Sequence, residues 1–178
     1  GAYVDFDGAF KNEVDLVLRY RDASQTADCE IAIDNIVNEA IVIEKNKSAV
    51  DIGLDSTNLS EGIKKKVRTE FDNILHLLNF NKYGSDIFRR WYVEGRIYYH
   101  AMIDESDPKR GIIELRSLDS TKIKKVKQVN QEKNATDPMK VKVRLDDMYT
   151  YNERGLDKKE GQGIMISGDS IIYNTSGL

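Results

Sequence analysis

The feature that most constrains this chain is a change of hydrophobic period near residue 95. Before it, apolar residues recur every three or four positions, the spacing of one helix face; after it they alternate or run on in short stretches, as strands do. The block that contains the change, Leu78 to His100, also holds the only Trp, the adjacent Arg89 and Arg90, and an aromatic strand pattern. Helices first and strands later argue for an α+β fold rather than an alternating α/β sheet. At 178 residues the chain suits one ordinary domain or two small subdomains.

In the first half, Val14, Val17, Leu18 and Arg21 mark a short amphipathic helix, with Asp15 four residues before Arg19. Cys29, Ala32, Ile33, Ile36, Val37 and Ala40 mark a second, with Asp28 and Glu30 near its N-terminal end. Ile41, Val42 and Ile43 and then alternating Val50, Ile52 and Leu54 read as β-like, around a turn at Asn46. Ser60 is placed to cap a helix whose buried stripe is Ile63, Val67, Phe71, Ile74, Leu75 and Leu78. Gly84 reads as a chain break, Ser85 as the next N-cap, and Gly95 as a left-handed C-terminal residue. Between them Ile87, Phe88, Trp91 and Tyr92 share a face, and Asp86 sits four before Arg90.

Arg96 to Ile103 is a strand apolar on both faces, as expected between two layers. Further strands are expected at Ile112 to Arg116, Ile123 to Val129, Val141 to Tyr151, Ile164 to Ser167 and Ser170 to Tyr173. Pro108 and Pro138 mark loops at 104–111 and 130–138, and Gly155 to Gly163 marks a third.

Charged residues make up 32% of the chain and the formal net charge is −3, which gives no overall drive toward nucleic acid or anionic membrane. The charge is uneven: residues 1–50 carry ten acids against five bases, and residues 101–150 nine against eleven. A lone Cys29 allows no internal disulfide, fits a reducing, intracellular origin, and reads as a small buried apolar residue. No apolar run reaches membrane-spanning length. Gly1-Ala2-Tyr3 has neither Met nor a basic-then-apolar leader, so no signal peptide is expected, and an excerpt of a longer chain is.

No catalytic, cofactor or metal constellation emerges. Gly161 and Gly163 lack the Gly-Lys-Ser/Thr and helix of a phosphate loop, and no Gly-x-Ser-x-Gly elbow occurs. His76 reads as a surface or boundary residue and His100 as a partly buried imidazole within a strand; with one Cys there is no zinc spacing. Asp104-Glu105-Ser106-Asp107 lacks calcium-loop spacing and reads as a solvated turn, although a metal-dependent hydrolase centred there is one competing hypothesis. Asp146 and Asp147 point to opposite faces of a strand.

Lys64, Lys65, Lys66 and Arg68 form an exposed helix face, and Lys122, Lys124, Lys125 and Lys127 read as guards of an edge strand. A nucleic-acid-binding module using these clusters is the alternative reading of function. Arg89 and Arg90, beside Trp91 and followed by Arg96, are candidate intersubunit or interdomain anchors, because Arg suits planar pairing and buried interfaces.

Leu78-Asn79-Phe80, Gly84-Ser85-Asp86, Phe88-Arg89-Arg90-Trp91-Tyr92-Val93 and Arg96-Ile97 resemble the signature segment of the portal protein of T4-like tailed phages. The resemblance continues through Ile103-Asp104, Pro108, Gly111-Ile112, Glu114-Leu115-Arg116 and Leu118-Asp119. Upstream it includes Ala32 to Val42, and at the end Ser176-Gly177-Leu178. Ser120 departs from it, standing where the family often has proline, and Tyr98-Tyr99 stand where phenylalanines are common.

The resemblance implies a non-enzymatic subunit, without cofactor, of a dodecameric ring at one vertex of the phage head. That ring nucleates head assembly beside the major capsid protein and docks the terminase large subunit and then the neck proteins. It also conducts double-stranded DNA. The implied location is the virion, after synthesis in the host bacterial cytoplasm. It further implies a wing region, with residues 1–95 mainly helical and 96–178 a small twisted sheet or barrel-like unit. Stem, clip and crown lie outside this sequence.

Overall fold

The computed structural model describes residues 2–4, 7–42, 48–133, 141–156 and 163–177. Its helices are α1 (Asp7–Ser24), α2 (Ala27–Ala40), α3 (Glu61–Leu77) and α4 (Phe80–Glu94). Its strands are β1 (Ala2–Val4), β2 (Arg96–Ile103), β3 (Ile112–Leu118), β4 (Ile123–Lys133), β5 (Val141–Tyr151), β6 (Ile164–Ser167) and β7 (Ile171–Thr175). The architecture is α+β. One strand precedes the helices: β1 pairs antiparallel with β4, Ala2 opposite Val129 and Val4 opposite Lys127. Three residues are too few to display a period, so the pattern did not reveal it.

The β unit is two small antiparallel sheets, ordered β1-β4-β5-β6 and β3-β2-β7. They close on one core. Tyr98 of β2, Leu118 of β3, Ile123 of β4, Tyr149 of β5, Ile166 of β6 and Ile171 of β7 form a single buried cluster, one residue from each strand. The Tyr98 ring stands edge-on to Tyr149 of the other sheet, 6.2 Å away, and stacks on Tyr173 at 4.8 Å. Burial, then the neighbouring Tyr173, raises the Tyr98 phenol above its ordinary range, so it stays neutral in the core. β2 is the middle strand of its sheet; Ile97 and Tyr98 are buried, but Ile103 at its far end is exposed.

α4 is the helix on which the others meet, packing against α1, α2, α3 and β2. It does not break at Gly84, nor start at Ser85. It begins at Phe80, after Asn79 turns the chain out of α3 with φ 46°, a left-handed conformation that Asn tolerates better than most residues. Gly84 is buried inside the helix because the Phe80 ring, one turn earlier, takes the space of a side chain; an added Cβ would lie 2.9 Å from Phe80 Cε1. The helix-propensity cost of glycine, about 1 kcal/mol, is accepted here for close packing. Gly95 does end the helix, at φ 69°, with its N–H returning to the Trp91 carbonyl and its own carbonyl accepting from Ser176 N–H at 2.8 Å.

α3 starts where expected, after Ser60 in extended conformation, but the Ser60 side chain makes no capping bond. Its apolar stripe is not a buried one. No α3 residue is buried, Val67, Phe71 and Leu75 are half-covered, and Ile63 and Ile74 are 48% and 43% exposed. Val50, Ile52 and Leu54 form no strand: among the described residues none pairs with them, and only Leu54 is buried, in an irregular segment. Ile41 and Val42 likewise follow α2 without strand pairing, while Ile43 and Asn46 lie outside the described residues. The 104–111 loop contains a 3-10 turn at Pro108–Arg110, and β4 runs to Lys133, into the segment expected to be loop. Pro138 and most of the Gly155 to Gly163 stretch lie outside the described residues.

Candidate functional site

The most heavily charged buried point is where the helices join the β unit. Glu94, the last residue of α4, is buried, and its Oε1 accepts from Arg21 Nε at 3.0 Å and Nη2 at 2.8 Å. The same Nη2 donates to Asp119 Oδ1 at 2.9 Å, and Ser120 Oγ donates to Glu94 Oε2. Asp119 Oδ1 also accepts from Thr121 N–H at 2.9 Å and Thr121 Oγ1 at 2.8 Å. One guanidinium thus links α1, the end of α4 and the β3–β4 turn. Burial works against the Arg21 charge, but its bonds to Asp119 and Glu94 outweigh it and raise its proton affinity. Burial likewise opposes the Asp119 charge, yet Arg21 and then Thr121 hold its carboxyl below the ordinary carboxylate range.

Sequence reasoning missed this network. A signal was present: an acid in the last turn of a helix faces the carbonyl end of the dipole, which disfavours it unless a cation is at hand. Ser120, noticed only as a departure from proline, supplies a hydroxyl donor that proline could not.

The four expected anchors lie close together, each reaching a different element. Arg89 pairs with Asp34 of α2. Arg90 donates to Ser117 Oγ of β3 and, at 3.4 Å, to the Tyr99 hydroxyl of β2, in place of the expected Asp86. Trp91 Nε1 donates to Asn174 Oδ1 of β7 at 2.8 Å. Arg96 Nη1 donates to Glu13 Oε2 of α1 at 2.7 Å.

Beside them runs an open, mainly apolar groove of about 570 Å³ between α1, α2 and α4, with Leu16, Tyr20, Ile33, Phe88, Trp91 and Tyr92 in its walls. Phe88 supports the wall, its ring centroid 5.7 Å from Trp91 and 6.2 Å from Tyr92. Cys29 also lines it and is exposed, not buried as its helical spacing suggested.

The remaining polar features close on themselves. Asp104 accepts from Ser106 N–H and Oγ within its own turn, and these bonds lower its carboxyl range. His76 is exposed and His100 half-buried. Among the described residues no group of His, Cys, Asp and Glu could hold a metal ion, and no helix is long and apolar enough to cross a membrane. Lys64 pairs with Glu61, Arg68 with Asp55, and Lys125 with Asp147 across the strand pair. β4 is not simply an edge strand, since β1 flanks it at Lys127 to Val129.

A family model described as the Bacteriophage T4-like portal protein (Gp20) matches residues 13–178. The chain belongs to the T4-like portal protein family. The portal protein of Vibrio phage KVP40 is 34% identical over 172 residues, covering 92% of this chain and 33% of that protein. The portal protein of Salmonella phage ViI is 27% identical over 188 residues, covering 98% of this chain and 34% of its own length. The chain therefore spans about a third of the curated portal proteins it matches.

Proposed function

We propose that this chain forms the wing part of a portal subunit, a structural protein of the dodecameric ring at one vertex of the phage head. In this reading the ring nucleates head assembly beside the major capsid protein, docks the terminase large subunit and later the neck, and conducts double-stranded DNA. It is made in the host cytoplasm and resides in the virion. The chain itself carries no catalysis, ATP hydrolysis falling to the terminase. The observation that carries the reading is family membership across residues 13–178.

The geometry supports a rigid connecting part. Residues 1–95 and 96–178 act as a helical and a strand-rich half, joined by Arg21, Glu94 and Asp119. Arg89, Arg90, Trp91 and Arg96 serve as interdomain anchors, each spending its donors on another element of the same chain. A nucleic-acid-binding module would need free lysine clusters, and the pairing of Lys64, Arg68 and Lys125 with acids weakens that alternative.

Electron microscopy of the full-length polypeptide tests the reading. Closed dodecameric rings are expected; uniform monomers across solution conditions, with capsid protein promoting no ring, would overturn it. Steeply salt-dependent duplex binding, lost on Lys122, Lys124, Lys125 and Lys127→Ala, would favour the alternative.

A further inference from the structure

We propose that α3 of one subunit seats in the α1–α2–α4 groove of its neighbour, so that these two surfaces form a head-to-tail contact. The inference rests on the ring reading above and names the surfaces that build the ring.

The first argument is area. The chain exposes 13,136 Å². A compact monomer of its 20.3 kDa exposes about 8,800 Å². The difference is more than a standard pairwise interface removes, roughly 1,600 Å² in total.

The second argument is placement. α4 separates two uncovered apolar surfaces. Phe88, Trp91 and Tyr92 face the groove, whereas Tyr83, Ile87 and Arg90 line the opposite flank, toward the end of α3 at Leu78. On α3, Ile63 and Ile74 stand exposed along a helix that buries no residue. A groove on one flank and a ridge on the other are what a heterologous contact requires, because each subunit must present two different, complementary patches.

Charge decides which patch meets which. From Asp7 to Glu39, the helices that wall the groove carry eight acids against three bases. α3 carries Lys64, Lys65, Lys66 and Arg68 within two turns, and Lys65 and Lys66 are exposed. Groove on groove, or ridge on ridge, would bring like charges together; ridge in groove pairs opposite ones.

Cys29 makes the contact testable, since it is the only cysteine of the chain and lines the groove. In rings of the full-length polypeptide carrying Ile63→Cys or Ile74→Cys, mild oxidation is expected to join α3 of one subunit to Cys29 of the next. The product is a ladder of multimers on a non-reducing gel, abolished by Cys29→Ser. In the unsubstituted protein, maleimide labelling of Cys29 is expected to fall about tenfold from dissociated subunits to rings, as access is lost. Intact rings with no ladder from either position overturn the surface assignment and leave the ring reading standing. Cys29 already shielded in dissociated subunits assigns the groove to another stretch of the same polypeptide, and also overturns it. A full-length protein that forms no ring defeats both readings together.

Discussion

Glu94 is buried at the carbonyl end of α4, where both desolvation and the helix dipole oppose its charge. Arg21 compensates it, so removing Arg21 strands a buried carboxylate. Arg21→Ala is expected to lower stability by about 3 kcal/mol, the low end for breaking such a pair because the arginine is partly exposed, as urea unfolding would measure. Asp119 adds a pH dependence. Its carboxyl is held below the ordinary range, so its contribution is present above the unfolded pKa of about 4 and is lost as pH falls through the lower folded value. Unfolding midpoints should fall on acidification below about pH 4, and Asp119→Asn should flatten that limb. Gly84 gives the other residue-scale prediction. Gly84→Val forces methyl groups onto the Phe80 ring and should cost about 2 kcal/mol by thermal unfolding, with a smaller penalty in a Phe80→Ala background.

Elements with a clear period and enough length were legible in the sequence: α1 to α3 and the strands β2 to β7 all lie where apolar spacing put them. The start of α4 was not, because glycine and serine carry the same letters whether they break a helix or pack inside one. Gly84 does the second, and only the distant choice of Phe80 as its neighbour distinguishes the cases. Val50, Ile52 and Leu54 alternate like a strand yet find no strand to pair with, since pairing depends on partners that alternation cannot specify. The candidate site was half legible. Arg89, Arg90, Trp91 and Arg96 stood out as a cluster, but the Arg21–Glu94–Asp119 link joins residues far apart in sequence and shows no local pattern. The shared core makes a prediction at this scale. Ile123 is 1% exposed where the two sheets meet, so Ile123→Ala should cost about 3 kcal/mol and loosen both together. Hydrogen exchange should show protection lost in β2 and β5 alike; loss confined to the β4 sheet would mean that the sheets do not share one cooperative core.

At the scale of the whole molecule, the distribution of exposed apolar surface is the informative property. Helical spacing correctly marked apolar faces on α2 and α3, but periodicity cannot say what covers a face. Ile31, Ile36, Ile63 and Ile74 remain exposed where the sequence implied a core. A chain that spans a third of its relatives' length and exposes this much surface is suited to a larger assembly, and the portal family supplies one. The measurement that tests the account most directly is the native mass of the full-length polypeptide, purified without other phage proteins and with capsid protein added. The account predicts a closed dodecamer, at twelve times the subunit mass. A single species at the subunit mass under both conditions would contradict it.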